Sequence, residues 1–326
     1  MRRFNQFPDG HGPKVAAIGG GHGLAVTLRA LRRVTDNITA VVGVSDDGGS
    51  SGRLRHEFGV LPPGDLRMAL SALCGDDTWG RTWSRVVQHR FSGQGDLRGH
   101  SLGNLLIMSL WEETGDVVAG LDWVAALLGA QGRVLPVSTD PLEIVAHVRF
   151  GDTISQVHGQ VAVATSPGDV QEIHVNPENP PACPEAVEAI MEADVIMLGP
   201  GSWYTSVIAP LLVPDLRAAI HRSPAKLVLI QNLMPQPDET ENFTPQHHLE
   251  VLMEQVPGLE IDTVIADPVS VRNPAEFRQA CADIGSRLLL QSVSSTSGRK
   301  GGTHDPDLLA AALSETTGRG SISTWR

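Results

Sequence analysis

The sequence predicts an α/β fold: a mostly parallel sheet with helices on both faces and a small antiparallel β insertion. Short β-branched runs alternate with longer helical patterns, which is the signature of strands joined through crossover helices. Most of those runs are almost continuously apolar, as strands covered on both faces must be. One stretch, residues 133–175, alternates apolar and polar residues instead.

Taken in order, the expected sheet strands are VAAI (15–18), ITAVVGV (38–44), ADVIMLG (193–199), KLVLIQN (226–232) and IDTVIA (261–266). Helical periodicity appears in LAVTLRALRRV, GDLRMALSAL, SLGNLLIMSLW, LDWVAALLGAQ and CPEAVEAIMEA. In RVLPVSTDPLEIVAHVRFGDT and GQVAVATSPGDVQEIHV, turn signals fall at Gly151-Asp152 and Pro167-Gly168, giving the antiparallel insertion over 133–175. THDPDLLAAAL reads as a last helix with Asp305 as N-cap and Pro306 in its first turn. The expected organisation is a flexible leader over 1–13, one Rossmann-like domain over 14–313, and a flexible tail over 314–326.

Composition narrows the function. The chain has 326 residues, 41% of them hydrophobic, and a formal net charge of −12. That balance argues against nucleic acid as a partner, because a nucleic-acid footprint is basic. Three cysteines stand far apart without a CxxC pair, pointing to a reducing, cytoplasmic setting. The leader lacks the apolar segment of a signal peptide, and no run of 18 apolar residues exists to span a membrane. A homo-oligomer and regulatory proteins are candidate partners.

The chemistry lies in the loops. KVAAIGGGHGL carries a strand into a helix through Gly19, Gly20, Gly21, His22 and Gly23, where the backbone can approach an anion and helix N–H groups can bind it. It is neither GxGxxG, since position 24 is Leu24, nor a Walker A loop. The second strand ends in SDDGGSSGRLR. Asp46 is placed to hold ribose hydroxyls in a Rossmann-like site, Asp47 lies beside it, Gly49, Ser50 and Ser51 add donors, and Arg53 can grip phosphate. Mg²⁺ on Asp46 or Asp47 against a diphosphate fits the same chemistry. No protein-bound cofactor is required.

In PPGDLR, Asp65 suits a helix cap, and Arg67 opposes the helix dipole, which points to an anionic partner. His100 and Asn104, four apart in GHSLGNL, should share a helix face, with His100 a general base or a donor. GPGSWYTS repeats the opening logic with Gly199, Gly201, Ser202, Thr205 and Ser206. In QNLMPQPDET, Asn232 and Gln236 carry amides able to read a base or sugar, whereas Glu239 and Thr240 equally suit ordinary loop and cap contacts. No HExxH, Cys-His zinc spacing or GxSxG nucleophile is present, so no catalytic residue is assigned.

Six motifs in this order, GGGHGL, SDDGGSSGRLR, PPGDLR, GHSLGNL, GPGSWYTS and NLMPQPDET, resemble the gluconeogenesis factor family and its relative, 2-phospho-L-lactate transferase. The resemblance spans about residues 14–270. It implies a Rossmann-like core that binds a nucleotide or nucleotide-sugar. The gluconeogenesis branch implies a UDP-sugar-binding regulator of cell shape and wall synthesis on gluconeogenic carbon sources. The transferase branch implies movement of a phospholactyl or phosphoenolpyruvyl group from a guanosine diphosphate carrier to a deazaflavin alcohol. His22, Met68, Pro235, Asp238 and His247 depart from the family pattern.

Overall fold

The structure, a computed structural model, describes residues 11–236, 239–295 and 302–317. The expectations for the leader before residue 11, for Asp238 and for the tail after residue 317 lie outside the described residues. Ten strands form two sheets: β1 (Val15–Gly19), β2 (Ile38–Val42), β3 (Arg133–Pro136), β4 (Glu143–Phe150), β5 (Thr153–His158), β6 (Asp169–Asn176), β7 (Val195–Leu198), β8 (Lys226–Ile230), β9 (Thr263–Ala266) and β10 (Arg287–Leu290). Seven run parallel in the order β10-β9-β8-β7-β1-β2-β3. The other three form an antiparallel sheet in the order β5-β4-β6.

All residues of β1 and β7 are buried, odd and even alike, because helices cover both sheet faces. Helix α1 (Gly21–Leu31) joins β1 to β2, and five helices lie between β2 and β3: α2 (Gly49–Phe58), α3 (Pro63–Ala72), α4 (Thr78–Gln88), α5 (Leu102–Thr114) and α6 (Val117–Leu128). The short α7 (Gln160–Ala164) follows β5. Later come α8 (Pro184–Met191), α9 (Pro214–Arg222), α10 (Pro245–Gln255), α11 (Pro274–Asp283) and α12 (Pro306–Thr316). Helix α1 packs on α3 and α12, α8 on α9, and α10 on α11. Fully buried Ile18, Leu24, Leu28, Leu66 and Leu70 lie in this core, each contributing about 1.5–3 kcal/mol by leaving water.

Two strands depart from the sequence reading. Arg133–Pro136, assigned above to the insertion, pairs in parallel with β2, from Thr39 opposite Arg133 to Val42 opposite Pro136. Successive Val134 and Leu135 are both buried, so this segment obeys the two-sided rule of the main sheet. Arg287–Leu290 forms the far edge strand beside β9, where four residues are too few for a period to declare itself. The last helix fits its signals, with the Asp305 side chain accepting from the N–H groups of Asp307 and Leu308. It runs to Thr316, past the expected end of the domain at 313. Residues 11–13, placed above in the leader, are tied to the body through Thr35, Asp36 and Asn37. Among the described residues no helix is long and apolar enough to cross a membrane.

Candidate functional site

The strand order reverses between β1 and β7, so the loops leaving their carboxyl ends lie side by side at the point where a parallel sheet of this kind takes a ligand. The first is the glycine turn. Gly21 has φ of 58°, a left-handed conformation that glycine adopts without strain, and it begins α1. Gly23 abuts the Pro200 carbonyl so closely that any Cβ would overlap it. This lack of a side chain lets the β1 and β7 turns touch. Thr27 Oγ1 then donates to the Gly199 carbonyl at 3.0 Å, binding the turns together. Gly19 and Gly20 are buried and His22 is exposed on the first turn of α1.

Asp65 reaches into this turn. It is the third residue of α3, whose N-cap is Pro62, so it does not cap its own helix as expected. Proline at the first helical position needs no N–H partner, which leaves the carboxyl group free to accept from the Gly21 N–H. Burial and the neighbouring Asp46 charge raise its pKa to about 7, against the smaller opposing pulls of Gly21 and Arg67. A Cβ on Gly64 would stand 3.0 Å from Asp46 Oδ2, which places Asp46 at the start of the same helix. Asp46 Oδ1 accepts from the Gly48 N–H at 3.0 Å.

Asp47 turns the other way. Its Oδ1 accepts from the Val161 N–H at 2.9 Å, in the first turn of α7, so it fastens the antiparallel sheet to the β2 loop. Gly49 is exposed, and Ser50 and Ser51 are buried in the first turn of α2. The exposed Arg53 donates to the Asp96 and Arg98 carbonyls at 3.2 and 2.7 Å.

Behind this loop lies a buried polar network. Ser50 Oγ is 3.0 Å from His100 Nδ1 and accepts from Asn104 Nδ2 at 3.0 Å. Asn104 Oδ1 accepts from Arg67 Nε at 2.8 Å, and Arg67 also bonds Gln88 Oε1. His100 and Asn104 do not share a helix face: α5 begins at Leu102, and a bridge between Arg90 and Ser101 holds the preceding segment extended. They meet through Ser50 instead. With the serine hydroxyl donating to Nδ1, the imidazole proton belongs on Nε2. Burial, then the Arg53 charge, lowers the pKa of His100, which favours its neutral form. Arg67, expected to seek an anionic ligand, contacts two amide side chains, and burial lowers its pKa to about 10.

The β7 and β8 loops bind each other. Asn232 Oδ1 accepts from Gly201 N–H at 3.0 Å while its Nδ2 donates to the Gly201 carbonyl at 2.8 Å. Gln236 Oε1 accepts from Trp203 N–H, and Glu239 Oε1 accepts from both Ser202 Oγ and Tyr204 N–H. Ser202 Oγ lies 2.5 Å from Thr205 Oγ1 at the start of a π-helical turn, Trp203–Ile208. Ser206, in that turn, approaches Gly20 and Gly201. Glu239 thus seats a carboxylate on backbone donors, and burial raises its pKa despite them. Glu239 makes the cap contact read from sequence, although its partner helix was not legible there, and the role of Gln88 as an acceptor for Arg67 was missed. The Ser202–Glu239 spacing gave no local cue, and Gln88 sits unmarked at the end of α4.

The structure therefore brings Gly19–Gly23, Asp46, Asp65, Gly199, Gly201 and Ser206 together at the strand reversal, with Ser50, His100, Asn104 and Arg67 joined in the buried network and Ser51 against Gly64. It directs Asp47 to α7, and Asn232 and Gln236 to the β7 turn.

Residues 15–283 match the model of the family 2-phospho-L-lactate transferase CofD. The chain is 46% identical over 310 residues to the "Putative gluconeogenesis factor" of Mycobacterium leprae, covering 93% of this chain and 86% of that protein. It is 38% identical to the gluconeogenesis factor of Bacillus subtilis over 270 residues, 83% of each chain. The crystal structure of a member of the UPF0052 family from Bacillus halodurans superposes with a TM-score of 0.83 at 33% identity, covering 93% of this chain and 98% of that one. With the crevice at the strand reversal and these matches running nearly end to end, the chain belongs to the 2-phospho-L-lactate transferase CofD family, among its gluconeogenesis factors.

Proposed function

We propose that this chain is a regulatory protein that binds a nucleotide-sugar of the UDP class, governing cell morphogenesis and wall synthesis on gluconeogenic carbon sources. The observation that carries the binding reading is the contact of the Gly19–Gly23 and Gly199–Gly201 turns at the strand reversal, beside the first turn of α1. A diphosphate suits such a place because backbone N–H groups and the helix dipole favour anions without a cationic side chain. The regulatory role rests on the gluconeogenesis factor relatives.

Asp46 and Asp65 complicate a bare diphosphate, since two carboxylates lie beside its seat. Oxygen donors of this kind fit Mg²⁺, which takes one or two carboxylates together with phosphate oxygens. When bound, the ion would offset the charge of the phosphates against Asp46 and Asp65. Asp47, held by α7, is the less suited of the two aspartates read from sequence. Calorimetric titration with UDP-N-acetylglucosamine, GDP and NAD, each with and without Mg²⁺, tests the reading. Binding of the UDP-sugar in preference to the others is expected; absence of binding by all three at millimolar concentration overturns it.

A second reading, transfer of a phospholactyl or phosphoenolpyruvyl group from a GDP carrier to a deazaflavin, is favoured by one observation. Asp65, with a pKa about 7, suits a general base for an alcohol nucleophile. Mass-spectrometric detection of the deazaflavin phosphodiester would establish that reading in place of the first.

A further inference from the structure

The open face of the antiparallel sheet carries a group of metal-ligating side chains remote in sequence from every loop of the crevice. His147 on β4 lies opposite Glu172 on β6, and His174 follows two residues along, on the same face as Glu172. One candidate ligand atom from each residue lies within 4.8 Å of the other two. His147 Nδ1 stands 3.6 Å from Glu172 Oε2, and His174 Nδ1 stands 3.9 Å from Glu172 Oε1. The two imidazole rings meet edge to face with centroids 4.7 Å apart.

These separations are informative. They exceed hydrogen-bond reach, so the carboxylate is not simply accepting from either ring. A zinc ion with ligands at about 2.0–2.2 Å in tetrahedral geometry spaces its donor atoms about 3.3 Å apart. Closing the triad onto such an ion therefore asks for a few tenths of an ångström where the pairs stand 3.6 and 3.9 Å apart, and up to about 1.5 Å where they approach 4.8 Å, in partly exposed side chains. The register shift between His147 and Val148 leaves Gln171 of β6 without an opposite residue beside the group, and bulges of this kind re-aim side chains.

An outer contact is also in place. Gln156, opposite His147 on β5, has its amide nitrogen 3.0 Å from His147 Nε2. Turned with its oxygen toward the ring, that amide accepts the Nε2 proton and leaves Nδ1 with a lone pair for a metal, the arrangement that orients most ligating histidines. Glu172 and His174 line a groove of about 550 Å³ that Arg217 and Glu254 border from the other side, so water can complete the coordination.

We propose that His147, Glu172 and His174 form a binding site for a divalent transition metal of the zinc class, separate from the nucleotide crevice. Two imidazoles and one carboxylate select zinc over magnesium, which prefers oxygen donors. The ion would clamp β4 to β6. Local spacing hid the site, because one ligand stands 25 residues from the next and only strand pairing unites them.

The test uses the untagged full chain and zinc chloride alone. Competition with a chromophoric chelator should give one bound zinc per chain. His147→Ala and His174→Ala should each weaken binding at least tenfold, and Glu172→Gln should weaken it as well. His247→Ala, which removes a histidine paired with Glu250 on α10, should leave binding unchanged. Cobalt substitution should give visible absorption of a low-coordinate nitrogen-and-oxygen site, lost in His174→Ala. Circular dichroism in chelator should show all variants folded like the parent; should either alanine variant fail this, Glu172→Gln at its exposed position carries the same expectation. Zinc bound at less than one per chain under saturation, or equally well by the triad variants, overturns the proposal.

Discussion

Asp65 and Gly20 face each other so closely that a Cβ on Gly20 would stand 2.5 Å from Asp65 Oδ2. A carboxyl group thus occupies the rim of the glycine turn and accepts from the first N–H of α1, where an anion is expected. Burial and Asp46 hold its pKa near 7, far above the ordinary 3.8.

The sign of the pH effect follows. A group whose folded pKa is raised contributes stability below its unfolded value, and that contribution is lost as pH rises through the folded value. For Asp65 the window runs from about pH 4 to about pH 7. At about 1.4 kcal/mol per unit, the change is on the order of 4 kcal/mol. Asp65→Asn should flatten this part of the profile, becoming relatively more stable than the parent above pH 7. Urea denaturation of both proteins between pH 4 and 8.5 measures it; parallel profiles would show that Asp65 titrates normally.

Gly23→Ala should destabilise the junction of the two turns. The added methyl meets the Pro200 carbonyl, and both sides of the contact are backbone. Overpacking of this kind costs about 1–3 kcal/mol, and about 2–4 °C of melting temperature accompanies each kcal/mol in a chain this large. Gly115→Ala is the contrast. Gly115 has φ of 65° with open space around it, so only conformational strain of about 1–2 kcal/mol applies. If nucleotide binding survives Gly23→Ala unweakened, the β1–β7 contact is not part of the ligand seat.

The fold was legible where physics is local. Continuous apolar runs such as VAAI and KLVLI announce buried parallel strands, and the Asp305-Pro306 pair announces a helix start. Arg133–Pro136 was misread because its pairing with β2, nearly a hundred residues away, settles its sheet, and its own four residues do not. The same limit applies to the site. Glycine turns at strand ends are visible in sequence, but an amide or hydroxyl looks alike whether it meets ligand or protein. Asn232 and Gln236 look like ligand readers until the fold puts them on Gly201 and Trp203. Asp46 and Asp47 are neighbours in sequence and diverge in space, one toward Asp65 and one toward Val161.

Arg67→Met should destabilise the fold through the partners it abandons. Asn104 and Gln88 each lose a charged donor, and Asn104 in turn orients Ser50 and through it His100. Loss of hydrogen bonds from a buried charged group costs about 2–4 kcal/mol here. Arg67→Lys should recover only part of this, because an ammonium cannot reproduce the planar fork that reaches two amides. The midpoint of urea unfolding separates the variants. Equal midpoints for Arg67→Met and the parent would place the network outside the stabilising core.

Arg53→Ala should weaken nucleotide binding by about 1–3 kcal/mol, the scale of a charged hydrogen bond, with little change in stability. Its guanidinium already donates to the Asp96 and Arg98 carbonyls, so it both anchors that loop and stands beside the α2 N-terminus. Five donors in a planar fork leave capacity for a phosphate oxygen in addition to two carbonyls. The side chain is exposed, so its removal leaves no buried group unpartnered. Calorimetry on the parent, Arg53→Ala and Arg53→Lys divides the two roles. A point charge is enough for phosphate attraction but not for the two-carbonyl anchor, so Lys should restore binding if phosphate contact dominates and fail if loop anchoring does. Unchanged affinity in Arg53→Ala would remove Arg53 from the site altogether.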